Sequence, residues 1–414
     1  TGANNTGIGM SALAANTTGA DSTAVGKDAL KAQTTGGHNT AIGLASLDAL
    51  TTGEQNVAVG NFSLSALTTA SCNTAVGQQA LVVNTTGANN VGVGQSALLA
   101  NTTGSYNTAV GHQALQASTA DDHSTAIGAQ ALMTQGAGGV GDGRNTAVGR
   151  DAGRLNTTGT YMVAVGYEAL EFNTTGSFNT SVGAASLYNN TTGANNVAVG
   201  YSALTANTTG ASNTAVGRGA LDSVTTGGDN VGIGEVAGGD LTTGTNNTFI
   251  GSNTTSGSVA GAGRIVIGKG VASVGDNYFT FGLSGGSDRV YNQFNSNASW
   301  TRASDERIKK DIVTNTDCGL DFINDLRTVT YKFKAPSELD STMSEYDANK
   351  TTPTYDKKMY GFIAQEVKAA MDTHSITDFA GWHQIEEEGQ DNMQGISYEM
   401  FVMPLVKAIQ ELST

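Results

Sequence analysis

Charge, proline, tryptophan and cysteine are all scarce in the first three-quarters of the chain. Residues 1–300 carry only 9 Lys/Arg and 16 Asp/Glu, no proline, one tryptophan (Trp300) and one cysteine (Cys72). So few bases, in a chain of formal net charge −15, exclude a general nucleic-acid binder, whose Lys and Arg gather on one face. Cys72 and Cys318 fall in different halves at no metal-ligand spacing, which excludes a disulfide framework. Cys72 sits in the ordinary repeat frame and reads as a packed or surface thiol. No apolar run approaches a membrane span and no signal-peptide pattern is seen, so no membrane insertion is expected. The chain opens on Thr1 inside a repeat, and a preceding N-terminal part is expected to be missing.

The character changes near residue 300. The remaining 114 residues hold 12 Lys/Arg, 20 Asp/Glu and all three prolines, Pro336, Pro353 and Pro404. The segment Ser304-Asp305-Glu306-Arg307-Ile308-Lys309-Lys310-Asp311-Ile312 marks the change, so the expected domains are 1–268, a connector at 269–303, and 304–414.

The first domain is a repeat array. A glycine preceded by Val or Ile recurs from Gly9 to Gly268, and fourteen of the fifteen intervals are 17 residues. The exception, Gly128 to Gly149, is 21 residues and contains the glycine-rich run Gly136–Gly143. The unit reads Asn-Thr-Ala-Val-Gly-x-x-Ala-Leu-x-x-Asn-Thr-Thr-Gly-x-x. Thr-Ala-Val is short and β-prone. Ala-Leu supplies one larger apolar side chain per unit, such as Leu81, Leu98 and Leu115. Asn-Thr-Thr-Gly is turn chemistry, in which Gly accepts positive φ and Asn bonds its own backbone. Two short strands and two turns per unit describe one coil of a parallel β-solenoid or β-roll, stable only when coils stack. At about 4.8 Å per coil the array spans roughly 70 Å. One Leu among so much Ala and Gly predicts a thin core, so several chains, most simply three, are expected to pack around an axis.

Specific activities find little support in this array. The Thr column of Thr86, Thr103 and Thr158 reads as turn residues in a ladder ahead of an ice-binding lattice. Asn-x-Thr triplets arise automatically from the repeat. The glycine-rich run lacks a following lysine and a strand-to-helix context, which argues against a phosphate loop. His38, His112 and His123 read as unrelated positions, and no repeating carboxylates suit calcium, so neither a metal nor a cofactor is expected. What remains is a display surface on which Tyr106, Tyr161, Phe172, Phe178, Tyr188 and Tyr201 are candidate contacts for sugar rings.

Past Gly268 the residues become larger. Tyr278–Phe281 alternates as a strand, Gly285–Asp288 reads as a turn, and the connector is expected to cap the array. In the last domain, Leu320, Ile323 and Leu326 share one helix face, and Val329–Phe333 alternates as a strand. Tyr360–Val367 begins as a strand and continues as a helix towards Met371, while Glu386–Gly389 reads as a solvated turn. Tyr398, Val402, Leu405, Ile409 and Leu412 follow a 4-3-4-3 spacing, a short heptad seam suited to drawing chains together. Pro404 marks a first turn or a kink in that helix.

Two resemblances follow from these motifs. Asn-Thr-Ala-Val-Gly resembles the Asn/Ser-x-Ala-Ile-Gly units of trimeric autotransporter adhesin heads, which are trimeric parallel β-rolls commonly built on a shorter unit. Ser304-Asp305-x-Arg307-x-Lys309-x-Asp311-Ile312, then Tyr360–Val367, then Tyr398…Ala408-Ile409-x-Glu411-Leu412, resembles the intramolecular chaperone of phage tail fibres and tailspikes, the self-cleaving S74 peptidase family. That resemblance implies a trimerising, folding-assisting domain released by a cut at Ala303–Ser304. It implies Ser304 as nucleophile and Lys309 as its base, the lysine pKa lowered by burial from about 10.4. Asp305, Arg307 and Asp311 are read as an ion-pair scaffold, and Lys310 as a solvated charge. The alternative for Ser304 is a helix N-cap. Five residues of helix or strand bring positions 304 and 309 onto different faces, so Ser304 lies on a loop or Lys309 acts from a neighbouring chain. His374 and His383 match no motif.

The resulting expectation is an all-β homotrimeric repeat solenoid followed by a small α+β chaperone domain: a phage tail fibre or spike on the virion, assembled in the host cytoplasm. Its partners would be two further copies of the chain, a host cell-surface receptor of carbohydrate nature, and other tail or baseplate proteins through the missing N-terminal part. The enzymatic act implied is one self-cleavage, with none in the shaft. The alternative is a bacterial trimeric surface adhesin without proteolysis, which calls for a membrane β-barrel anchor. A glycan-degrading spike is disfavoured because no carboxylate pair stands out from the repeat.

Overall fold

The structure is a computed structural model. It describes residues 2–136, 142–283, 289–293, 301–302, 312–339, 341, 346–353, 357–384 and 394–413. The turns expected at Gly285–Asp288 and Glu386–Gly389, and most of the glycine-rich insertion, lie outside these residues. Two compact units emerge, Thr1–Asp305 and Glu306–Thr414.

The first unit is a β-solenoid. Its strands run from β1 (Thr6–Ile8) to β16 (Ile265–Lys269), one per coil, each pairing in parallel with the next coil's strand. Register is strict, as in Thr74↔Val91, Ala75↔Gly92 and Val76↔Val93. The 21-residue interval keeps it, since Ala126 pairs with Ala147. β17 (Tyr278–Leu283) adds one more parallel strand. β18 (Arg289–Gln293) and β19 (Thr301–Arg302) then pair antiparallel, reversing the direction at this end of the sheet.

Each coil has one strand, where two were expected. The Ala-Leu step is a turn whose leucine lies in the left-handed region, for example Leu81 at φ 53° and Leu115 at φ 50°. That conformation costs a non-glycine residue about 1–2 kcal/mol. Complete burial of the leucine, as at Leu81 and Leu115, returns about 1.5–3 kcal/mol. Burial wins, so a residue poorly suited to the backbone is kept there coil after coil.

The core is also fuller than the leucine count suggested, because asparagine completes it. In one column Asn73, Asn90 and Asn107 are fully buried. Asn90 N–H donates to Asn73 Oδ1 (3.0 Å), and its Nδ2 donates to Gly104 O (2.8 Å). In a second column, Asn101 Nδ2 donates to Asn84 Oδ1 at 3.1 Å and to Gly104 O at 3.0 Å. Asn84 also bonds its own turn, accepting from Gly87 N–H at 3.1 Å. Two stacked amide ladders thus satisfy the turn backbone that a narrow coil buries. Threonine adds an outer rail, Thr85 Oγ1 donating to Thr102 O (3.0 Å), while the next threonine, as at Thr86, Thr103 and Thr158, is exposed.

The periodic glycine is required by contact as well as by φ. At Gly111 (φ +137°) a Cβ would lie 2.5 Å from the Gly128 carbonyl oxygen of the next coil. Gly111→Ala is expected to destabilise the shaft by about 2–4 kcal/mol, read as a lower denaturation midpoint of the full chain.

Asp121, beside the insertion, is fully buried. Its Oδ2 accepts from Ser118 Oγ at 3.4 Å, and its Oδ1 has no hydrogen-bond partner among the described residues. Burial pushes its carboxyl up from 3.8 to about 6, against the opposing pull of the neighbouring Gln135 and Ser118 side chains. A raised folded pKa means that the folded state holds the proton more tightly than the unfolded chain. Its stabilising contribution is therefore full below about pH 4, fades as pH rises through 6, and stays lost above. Asp121→Asn should raise stability on the order of 2–3 kcal/mol at pH 8 and give no gain below pH 4, measured as paired unfolding midpoints.

Candidate functional site

The C-terminal unit forms around a small aromatic core. Helix α1 (Leu320–Asn324) buries Phe322 against Val367, Ala370, Met371, Ile376 and Phe401, with Cys318 at the edge. β20 (Val329–Tyr331) pairs antiparallel with β21 (Met359–Gly361), and α2 (Ala364–Thr373) follows directly, matching the strand-then-helix reading of Tyr360–Val367. β22 (Trp382–Gln384) pairs with β23 (Gln394–Ile396). A 3-10 turn (Tyr398–Phe401) leads into α3 (Val402–Leu412), with Pro404 in its first turn.

The motif residues downstream of the junction hold one another in place. Phe362 N–H donates to Tyr398 Oη at 3.0 Å, and the two rings stack at 5.8 Å. A Cβ on Gly361 would come within 2.1 Å of that same hydroxyl, so the glycine makes room for the tyrosine. Glu366 pairs with Arg327, Arg327 Nε donating to Oε2 at 3.0 Å, and this holds the Glu366 carboxyl below its usual range. Glu411 on α3 accepts the Leu320 N–H at 2.6 Å and meets Lys407 at 3.0 Å, which lowers its pKa and fixes α3 to the start of α1. His374 Nε2 lies 2.7 Å from Asp325 Oδ2, joining the ends of α2 and α1.

Of the seam residues, Tyr398 is engaged inside the unit as just described. Val402, Leu405, Ile409 and Leu412 are 46–70 % exposed on α3, and Met403 and Val406 widen the same apolar surface. Pro404 and Ala408 form the buried side of that helix. Ala303, Ser304, Asp305, Arg307, Lys309 and Asp311 lie outside the described residues.

On the solenoid, the six candidate aromatics separate into different columns. Tyr106, Tyr161 and Phe178 share the position two residues before each strand. Tyr161 stacks on Phe178 at 5.2 Å, and Tyr106 on His123 at 5.2 Å. Phe172 and Tyr188 instead meet edge to face at 5.0 Å. Tyr201 follows a shaft glycine, in the column of Tyr167. His38 and His123 do share one column, five coils apart, which corrects their reading as unrelated positions. Each faces an aspartate of a neighbouring coil, Asp21 at 3.9 Å and Asp142 at 3.5 Å. Among the described residues no group of three or more His, Cys, Asp or Glu is placed to hold a metal ion. No helix among them is long and apolar enough to cross a membrane.

A β-solenoid followed by a small helix-containing unit defines the class of the molecule. The C-terminal part matches the family model of the chaperone of endosialidase, peptidase S74, over residues 304–376, from Ser304 through α2 to Ile376. This is narrower than the 304–414 resemblance read from the motifs, and α3 lies beyond it. No curated protein and no solved structure matches the chain.

Proposed function

We propose that the chain is a homotrimeric phage tail fibre or spike whose shaft carries a host-attachment surface. Its C-terminal unit registers three chains, assists their folding and then severs itself at Ala303–Ser304. The observation that carries this reading is the match to the chaperone of endosialidase, which begins at Ser304, immediately after the solenoid and its antiparallel end.

Two unpartnered apolar surfaces support a trimer. One is α3, with Val402, Leu405, Ile409 and Leu412 exposed. The other is the outward Val/Ile at the third place of each strand, where Ile42, Val76, Ile127, Val199, Val216 and Ile233 are 36–41 % exposed. A column of this length exceeds the apolar patches that monomers ordinarily show to water. The coil interior closes within one chain, so partner chains are called for by this outer column and not by the core. Parallel pairing across many similar coils is slow and open to register slips, which a terminal clamp corrects. The site of action would be the virion tail, after assembly in the host cytoplasm. Denaturing electrophoresis tests the reading: wild type should give fragments 1–303 and 304–414, and Ser304→Ala one full-length band.

A further inference from the structure

In the column two residues before each strand, every non-glycine residue is left-handed; Asn4, Asp21, Asn89, Asn195, Asp229 and Asn246 suit that conformation, and His38, Gln55, Cys72 and Ser212 hold it as well. Five consecutive coils carry an aromatic, histidine or arginine side chain there. Tyr106, His123, Arg144, Tyr161 and Phe178 hold φ of 61°, 58°, 45°, 56° and 60°. Bulky side chains at positive φ are strained, and strain kept without a packing reason marks functional positions. Burial is not the reason here, since Tyr106, Tyr161 and Phe178 are 59, 45 and 57 % exposed.

The five side chains share one column and form two contact segments, Tyr106 with His123, and Arg144 with Tyr161 and Phe178. Tyr106 and His123 are stacked with planes 4° apart, and Tyr161 and Phe178 with planes 9° apart. Arg144 extends the second pair, its guanidinium 5.4 Å from the Tyr161 ring centre and its Nη1 donating to Tyr161 Oη at 2.9 Å, and Asp142 faces both Arg144 and His123 of the first pair. Centroid separations of 5.2 Å correspond to offset stacking, which leaves part of each ring face uncovered. Apolar ring surface thus alternates with phenol, imidazole and guanidinium groups over four coil steps, about 19 Å at 4.8 Å per coil.

We infer that this five-residue stretch is the shaft's receptor site and takes a neutral oligosaccharide laid along the coil axis. The inference rests on the attachment reading above. Apolar C–H faces of successive sugar rings meet the aromatic surface, and their hydroxyls meet Tyr106 Oη, Tyr161 Oη and the imidazole. Charge selects the neutral class. Asp142 lies 2.7 Å from Arg144 Nη2 and 3.5 Å from His123 Nδ1, so both bases already face a carboxylate, and the chain's net charge of −15 opposes an acidic glycan.

The test uses the full chain on a printed array bearing neutral and acidic oligosaccharides, with the triple variant Tyr106→Asn/Tyr161→Asn/Phe178→Asn. Asparagine suits the left-handed backbone, so the variant should unfold at the same or a higher temperature. Its binding to neutral glycans should fall on the order of 30-fold, the loss expected for removing hot-spot aromatics. Tyr201→Ala, in another column, should bind as wild type. Undiminished binding by the triple variant, a wild type that binds only acidic glycans or none, or an equal loss in Tyr201→Ala overturns the assignment. A lower unfolding temperature with binding retained would make the stretch a structural device instead. Cleavage and stoichiometry are read separately, so a failed array and a failed fibre reading are distinguishable.

Discussion

Ser304→Ala is expected to leave the chain intact at 42.1 kDa, whereas wild type separates into a shaft ending at Ala303 and a fragment beginning at Ser304. A nucleophile placed immediately after the scissile bond attacks the carbonyl before it. In the proposed cut Ser304 Oγ would add to the Ala303 carbonyl carbon, the C–N bond would break, and the nitrogen would take up the proton that Oγ gave to its base. Water would then hydrolyse the Ala303 ester, freeing the carboxylate and restoring the Ser304 hydroxyl. Alanine removes the oxygen that forms the ester, so the first step has no route. Lys309→Ala would remove the proposed base and should slow cleavage by about 10²–10⁴-fold without abolishing it. A lysine acting as base must be neutral, so wild-type cleavage should quicken as pH rises towards the lysine pKa. The time course of band intensity across pH values measures this.

The second large effect concerns assembly. Val93→Asp/Val110→Asp/Ile127→Asp places three acids on adjacent coils of the outward strand column. In an isolated solenoid these positions are partly exposed, and surface substitutions of this kind usually change stability by less than about 0.5 kcal/mol each. Packed against two further copies, each carboxylate would lose water at several kcal/mol apiece and face its symmetry mates. Sedimentation should therefore report monomer for the variant and trimer for wild type, with unchanged far-ultraviolet dichroism. A trimeric variant would show that the assembly face lies elsewhere on the coil.

How legible these features were depended on whether a residue's local chemistry agreed with its place in the coil. The glycine interval gave the coil length and parallel register directly, because Gly111 and its equivalents occupy a place that admits no Cβ. Leu81 misled, since an apolar residue after alanine reads as a second strand. Only its burial explains why a leucine is held at φ 53°. Asn90 reads as turn chemistry in sequence, yet its amide reaches the neighbouring coils, a relation that appears only once coils stack. His123 and Arg144 were missed as partners of Tyr106 and Tyr161, although the 17-residue frame, corrected for the insertion, aligns all four. In the C-terminal unit, Tyr360–Val367 was readable as strand then helix, whereas the role of Gly361 follows from a tyrosine 37 positions away. Tyr398 fits a heptad seam by spacing and is nevertheless tied to Phe362, because the 3-10 turn rotates it out of the α3 series.

The most direct measurement of the central claim is the mass of the purified full-chain protein, taken first under native and then under denaturing conditions. The expected native species is a trimer of the 1–303 shaft. The expected denatured spectrum holds the shaft chain and a separate fragment whose first residue is Ser304. A single uncut chain in the denatured spectrum, or a monomer in the native one, would contradict the account.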